Sequence, residues 1–174
     1  MAMRTSVSLE EYLKTTYHPD KEYAAGQLVE RHVGEHDHSF LQHLLSLELG
    51  GRARERRFRV FVEQRVRISD EPRYRIPDVC VKALPYHTTP VLIQPDLAIE
   101  IVSPDDAPVE MLEKVAEYQA AGIPYIWVVD PYKRSVIGAD RSSVRKPAGL
   151  TLATPLVGEV HFAALFGQLD EASE

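Results

Sequence analysis

One carboxylate stands inside an otherwise apolar run. Leu97-Ala98-Ile99-Glu100-Ile101-Val102 has the β-branched content and length of a strand buried on both faces, and Glu100 interrupts it. Burying an unpaired carboxylate costs several kcal/mol or more, so Glu100 needs a cation, strong hydrogen-bond donors or a raised pKa. A second carboxylate beside it would point to a metal ion. Four Pro-Asp dipeptides could supply one: Pro19-Asp20, Pro77-Asp78, Pro95-Asp96 and Pro104-Asp105, although Pro-Asp is also a common turn signal. Asp96 shares the strand face of Glu100, but four residues at roughly 3.3 Å each put it about 13 Å away, too far for both to hold one Mg²⁺ at about 2.1 Å. Asp78 opens a separate apolar segment, Val79-Cys80-Val81. Neighbouring strands lie about 4.8 Å apart, so a strand pairing could bring Asp78 and Glu100 onto one ion.

A cation follows on the next element. Ser103-Pro104-Asp105-Asp106 leads into a helix predicted from about Pro108 to Ala121, stopped by Gly122 and Pro124. Met111, Val115 and Tyr118 share one face of it, Glu113 and Glu117 the opposite face, and Lys114 falls at the apolar edge. Its ammonium can reach back over the sheet, or pair with Glu110 at i, i+4 for about 0.3 kcal/mol. The spacing leaves both open. Tyr125-Ile126-Trp127-Val128-Val129 is another buried strand, so strand, helix and strand form a parallel unit with a right-handed crossover.

The rest of the chain supplies the frame. Ser8-Leu9-Glu10-Glu11 fits a capping box for a first helix running to about Tyr17. Glu22 to Arg31 predicts a hairpin turning at Ala24-Ala25-Gly26, with Glu22 and Glu30 on its two arms. Phe40, Leu41, Leu44, Leu45 and Leu47 place a long helix from His36 to about Arg56, weakened or ended at Gly50-Gly51. From Arg57 to Ile68 apolar and charged residues alternate, predicting one half-exposed strand with a basic outer face. After a turn at Asp70-Glu71-Pro72 the segment Arg75 to Val81 returns antiparallel to it, and Pro77 suggests a strand start or bulge at Asp78. Leu84 to Gln94 is a loop long enough to frame a cleft. A turn at Asp130 to Arg134 precedes an antiparallel strand at Ser135 to Ala139, then short strands near Leu150 and Val160 and an acidic tail.

At 174 residues and 44% hydrophobic, with no Gly/Ser-rich linker, the chain suits a single domain. Cys80, its one cysteine, cannot form an internal disulfide; the opening MAMRTSVSLEE lacks an apolar signal region and no apolar stretch approaches a membrane span, so a soluble cytoplasmic protein is expected. A net charge of −6 argues against non-specific affinity for nucleic acid, yet nine arginines fall between Arg52 and Arg75, a block that suits either a phosphate-binding surface or a solvated face. His32, His36, His38 and His43 cluster, but without a Cys pattern or H-E-x-x-H they suit surface or capping roles better than zinc.

Taken together, EYAAGQLVE at 22 to 30, His38-Ser39, IPDV at 76 to 79, PDLAIEIVSP at 95 to 104, and Lys114, Tyr118 and Gly122 followed by YIWVVDP resemble the Uma-two family of "putative restriction endonucleases", within the PD-(D/E)XK nuclease superfamily. The resemblance implies an α/β (α+β) fold: a restriction-endonuclease-like mixed sheet flanked by helices, with an N-terminal helix and hairpin. It implies Asp78 and Glu100 as metal-binding carboxylates, Lys114 as the catalytic lysine and Glu22 as an additional acidic residue. The superfamily lysine usually follows two residues after the glutamate, where this chain has Val102, so Lys114 must act from the helix. Gln27 replaces the Glu that many relatives carry after the hairpin glycine. The expected activity is Mg²⁺-dependent (or Mn²⁺-dependent) hydrolysis of DNA, with the Ile101 carbonyl as a further metal ligand and a homodimer as the working form. The rivals are a nuclease-fold binding module that no longer cuts and a metal-dependent hydrolase of another substrate.

Overall fold

The computed structural model describes residues 6–31 and 35–171. Ser8 caps the first helix, α1 (Leu9–Lys14), its hydroxyl accepting the Glu11 N–H at 3.1 Å. The helix stops at Lys14, short of Tyr17, because the backbone turns extended at Thr15 and Arg65 takes its last carbonyls, at 3.1 Å from Tyr12 O and 2.7 Å from Thr15 O. The hairpin forms as expected from β1 (Lys21–Ala24) and β2 (Gln27–Glu30), joined through Ala25 and Gly26 at φ 46° and 84°. Positive φ at both residues makes this a primed turn, whose twist matches the strands it joins.

The second helix, α2 (His36–Ala53), runs through Gly50 and Gly51 rather than ending at them. Two glycines cost a helix about 1 kcal/mol each, and burial of Leu41, Leu45 and Leu49 with Ala53 on the core outweighs that.

The predicted long basic strand is two strands in two sheets. β3 (Phe58–Val62) ends where Glu63 takes φ 50°, and β4 (Val66–Ser69) starts in a different sheet. The returning arm divides likewise: β5 (Arg73–Arg75) pairs antiparallel with β4, and β6 (Val79–Ala83) pairs antiparallel with β3. Asp78 lies at the joint. The first sheet has the order β2-β1-β5-β4-β7, closed at one edge by β7 (Leu92–Ile93).

The second sheet carries β8 (Leu97–Ile101), every residue of it buried. Beyond β8 come β9 (Tyr125–Asp130), β10 (Ser135–Asp140) and β11 (Val144–Arg145), in the order β11-β10-β9-β8-β6-β3. β8 and β9 are parallel, joined by α3 (Pro108–Ala120), and the other pairings are antiparallel. A two-stranded sheet, β12 (Thr151–Thr154) and β13 (Gly158–His161), follows. The expected acidic tail is largely a helix, α4 (Phe162–Asp170), whose Phe162, Leu165, Phe166 and Leu169 recur at helical spacing and are buried.

Both faces of the second sheet are therefore covered. Leu97, Ile99 and Ile101 point into the layer shared with α2 and α4, where Trp127 meets Phe162 edge-on at 5.8 Å. Cys80 and Ala98 pack with Met111, Val115 and Tyr118 of α3 on the other face. Strand alternation puts Glu100 on that α3 face. No helix among the described residues is long and apolar enough to cross a membrane.

Candidate metal centre

The β6–β8 ladder joins Val79 to Ile99, Cys80 to Ala98 and Val81 to Leu97. Asp78 stands one residue before that ladder and Glu100 one residue after it, and the Asp78 carboxylate accepts the Ile101 N–H at 2.7 Å, which sets the two acids side by side. Both residues are buried. Asp96, by contrast, accepts the Ala83 N–H at 2.8 Å and takes no part in the site.

Each carboxylate is held by named partners. Asp78 Oδ1 accepts from Arg31 Nη2 at 2.8 Å and Oδ2 from the Ile101 N–H at 2.7 Å, with His38 Nε2 at 3.4 Å from Oδ2. Glu100 Oε2 lies 2.9 Å from Lys114 Nζ, and Oε1 accepts from the Tyr118 hydroxyl. Lys114 thus reaches over the sheet to Glu100 instead of pairing with Glu110. Glu22 accepts the Ile76 N–H at 3.1 Å and pairs with Arg75, which also donates to Glu117 at 2.7 Å.

The two facing acids are pushed apart in acidity. Burial raises Asp78, but the hydrogen bond and charge of His38, the charge of Arg31 and the Ile101 N–H outweigh it and leave the group below the ordinary Asp range. At Glu100 burial prevails over Lys114 and is reinforced by the charges of Asp78 and Glu22, so that carboxyl sits above the ordinary range. Burial lowers the Lys114 ammonium, yet Glu100 more than compensates and its pKa is raised, which keeps it charged. Cys80, on the strand beside Glu100, has its thiol pushed up to about 12, chiefly by burial, so it is no nucleophile at neutral pH.

A cavity of about 280 Å³ opens beside these groups, with Glu22, Arg31, Arg75, Glu110, Glu113 and Lys114 among its lining residues. The Leu84 to Gln94 loop contributes nothing to it. A separate cavity of about 250 Å³ beyond α3 is apolar, lined by Val102, Met111, Val115 and Val128.

Among the described residues no group of three His, Cys, Asp or Glu is gathered closely enough to hold a metal ion. His36 is exposed beside Asp37, His43 stacks near Phe40, and His38 alone enters the site; His32 lies outside the described residues. Among the described residues these histidines do not assemble a four-ligand zinc set. Two opposed carboxylates do suit Mg²⁺, which accepts one or two and keeps water in its remaining positions.

The arginine block does not form one face. Arg52 binds Val157 O and Glu159 O, Arg65 closes α1, Arg67 binds Ser69 O and Asp70 O, and Arg73 and Arg75 pair with Glu117, while Arg54, Arg57 and Arg59 are exposed. Arg31, Arg75 and Tyr118 join the site without a role predicted from sequence. Tyr118 was discoverable, one helical turn after Lys114 on the same edge; Arg31 meets Asp78 across 47 residues with no local signal.

A family model described as "Uma2: Putative restriction endonuclease" matches residues 9–148. The crystal structure of "a putative nuclease belonging to DUF820" from Anabaena variabilis ATCC 29413 is similar at TM-score 0.79 and 23% identity, over 94% of this chain and 99% of that one. No curated protein matches.

Proposed function

The chain belongs to the Uma2 family, and from that membership and the facing carboxylates we propose that it is a Mg²⁺-dependent endonuclease hydrolysing DNA phosphodiester bonds. The observation that carries this reading is Asp78 beside Glu100, its carboxylate on the Ile101 N–H, with the Lys114 ammonium 2.9 Å from Glu100. Asp78, Glu100 and the Ile101 carbonyl would hold the Mg²⁺, with Mn²⁺ as a substitute. When bound, the ion supplies Lewis acidity toward phosphorus and a lowered pKa for the attacking water.

The chain's own groups do the rest. Lys114 stays charged beside Glu100 and stabilises the negative charge that builds on the phosphoryl oxygens. Tyr118 fixes the other Glu100 oxygen, so the carboxylate presents one orientation. The Ile101 N–H and His38 do the same for Asp78. Glu22 adds negative charge at the cavity wall, anchored by Arg75 and the Ile76 N–H. Water attacks phosphorus in line as the P–O bond to the leaving sugar oxygen breaks, its proton passing to solvent and the departing oxygen taking one up, so a phosphate monoester and a hydroxyl form without a covalent intermediate on the protein. A duplex break needs two such sites, so the working form we propose is a homodimer, checked by sedimentation. A cytoplasmic setting suits a single buried, unpaired cysteine.

Plasmid nicking tests the reading: conversion of supercoiled DNA is expected in Mg²⁺ or Mn²⁺ and not in excess chelator. Calorimetric titration with Mn²⁺ should show binding by wild type and its loss in Asp78→Ala. One observation favours a second reading, a nucleic-acid or protein-binding module that does not cut: both carboxylates already have protein cations as partners. That module would bind DNA or protein while failing both the Mn²⁺ titration and the nicking assay.

A further inference from the structure

Arg31 is a cation of this site that the reaction above leaves unused. It follows β2 directly, its side chain is 14% exposed, and its guanidinium lies 2.8 Å from Asp78 Oδ1 and 3.7 Å from Glu63. It lines the same cavity as Lys114. Asp78 Oδ2 is committed to the Ile101 N–H, so an ion that takes Asp78 through Oδ1 meets the guanidinium there. A planar guanidinium forms equally good paired hydrogen bonds with a carboxylate and with a phosphate, and it never surrenders its charge. It can therefore exchange one anion for the other without protonation chemistry.

Building on the endonuclease reading, we propose that Arg31 competes with the divalent ion for Asp78 and, once displaced, binds a phosphate oxygen of the nucleic-acid backbone in the adjoining cavity. Ion binding and backbone binding are then linked through one side chain. The ion frees Arg31 for the phosphate, and a phosphate that holds Arg31 leaves Asp78 open to the ion. The two ligands should reinforce each other.

Mn²⁺ alone is the first probe, titrated by calorimetry into wild type, Arg31→Met, which keeps the apolar stem and removes the charge, and Arg31→Lys, which keeps a charge without the fork. Arg31→Met is expected to bind Mn²⁺ about tenfold more tightly than wild type and to gain more in unfolding midpoint when Mn²⁺ is added. Arg31→Lys should fall between the two, and it carries the test if Arg31→Met does not fold. The second probe is a fluorescent DNA duplex in Ca²⁺, whose affinity should drop several-fold in Arg31→Met. Equal or weaker Mn²⁺ binding in both variants overturns the competition, and unchanged duplex affinity overturns the phosphate role. A wild type that binds no Mn²⁺ overturns the endonuclease reading and this inference with it; a wild type that binds Mn²⁺ no less tightly than its Arg31 variants overturns this inference alone.

Discussion

Lys114 lies 2.9 Å from Glu100, and the two residues come from consecutive elements of one strand-helix-strand unit. A charge acting mainly on the transition state lowers rate more than ground-state affinity. Lys114→Ala is thus expected to keep Mn²⁺ and DNA binding and to lose about a hundredfold or more in cleavage, the scale of removing one such donor. Lys114→Arg should rescue little, because the broader guanidinium cannot occupy the same point beside Glu100. Single-turnover cleavage rates check this. Wild-type rates in Lys114→Ala would leave Lys114 as a partner that only supports Glu100.

The facing acids should give stability opposite pH slopes. A carboxyl raised on folding binds more protons folded than unfolded, so Glu100 makes stability fall as pH rises from about 4.3 to its folded value. A lowered carboxyl does the reverse: the Asp78 contribution is complete above about 3.9 and is lost as pH falls through its folded value. Glu100→Gln should flatten the upper limb and Asp78→Asn the lower one. Urea midpoints across both windows decide it, and a Glu100→Gln profile parallel to wild type above about pH 4.3 would refute the assignment.

Arg59 and Arg65 should part company under substitution, although they belong to one alternating run. Arg65 binds three carbonyls at the end of α1 and stacks over Tyr12 at 4.5 Å, so Arg65→Ala should cost about 2 kcal/mol of stability with little change in the salt dependence of DNA binding. Arg59 is exposed on β3. Its removal should leave stability intact and reduce the salt slope by about one if that surface touches phosphates. Denaturation and anisotropy titrations over a range of salt read the two effects separately.

Phe162 is fully buried against Trp127 on the face of the sheet away from Lys114. Phe162→Ala is expected to cost about 3 to 5 kcal/mol while leaving Mn²⁺ affinity within a factor of two or so, because the cavity it opens lies in the α2 and α4 layer. A large loss of Mn²⁺ affinity in folded protein would tie that layer to the site.

The placement of Asp78 beside Glu100 was legible because strand geometry separates it from the Asp96 alternative. The parallel β8–α3–β9 unit was legible because apolar runs and helix stops mark its ends cleanly. Other features depend on contacts that no local pattern encodes. The alternation from Phe58 to Ile68 looks continuous, yet Glu63 breaks it at a backbone angle that only the two-sheet arrangement requires. Gly50 and Gly51 look like a stop, but the α2 leucines are packed tightly enough to carry the helix past them. The α4 pattern was present in Phe162, Leu165, Phe166 and Leu169, and the short strand before it disguised the change of period.

The joint between the sheets divides the site between them. Glu100, Lys114 and Tyr118 belong to one strand and the helix packed on it. Asp78 sits where both arms of the hairpin change sheets, its carbonyl accepting the Glu63 N–H at 3.2 Å, and Arg31 extends from β2 in the smaller sheet. Asp78 is nonetheless fastened to the β8 strand through the Ile101 N–H at 2.7 Å, so both acids are anchored on the larger sheet while the cation that neutralises Asp78 arrives from the other one.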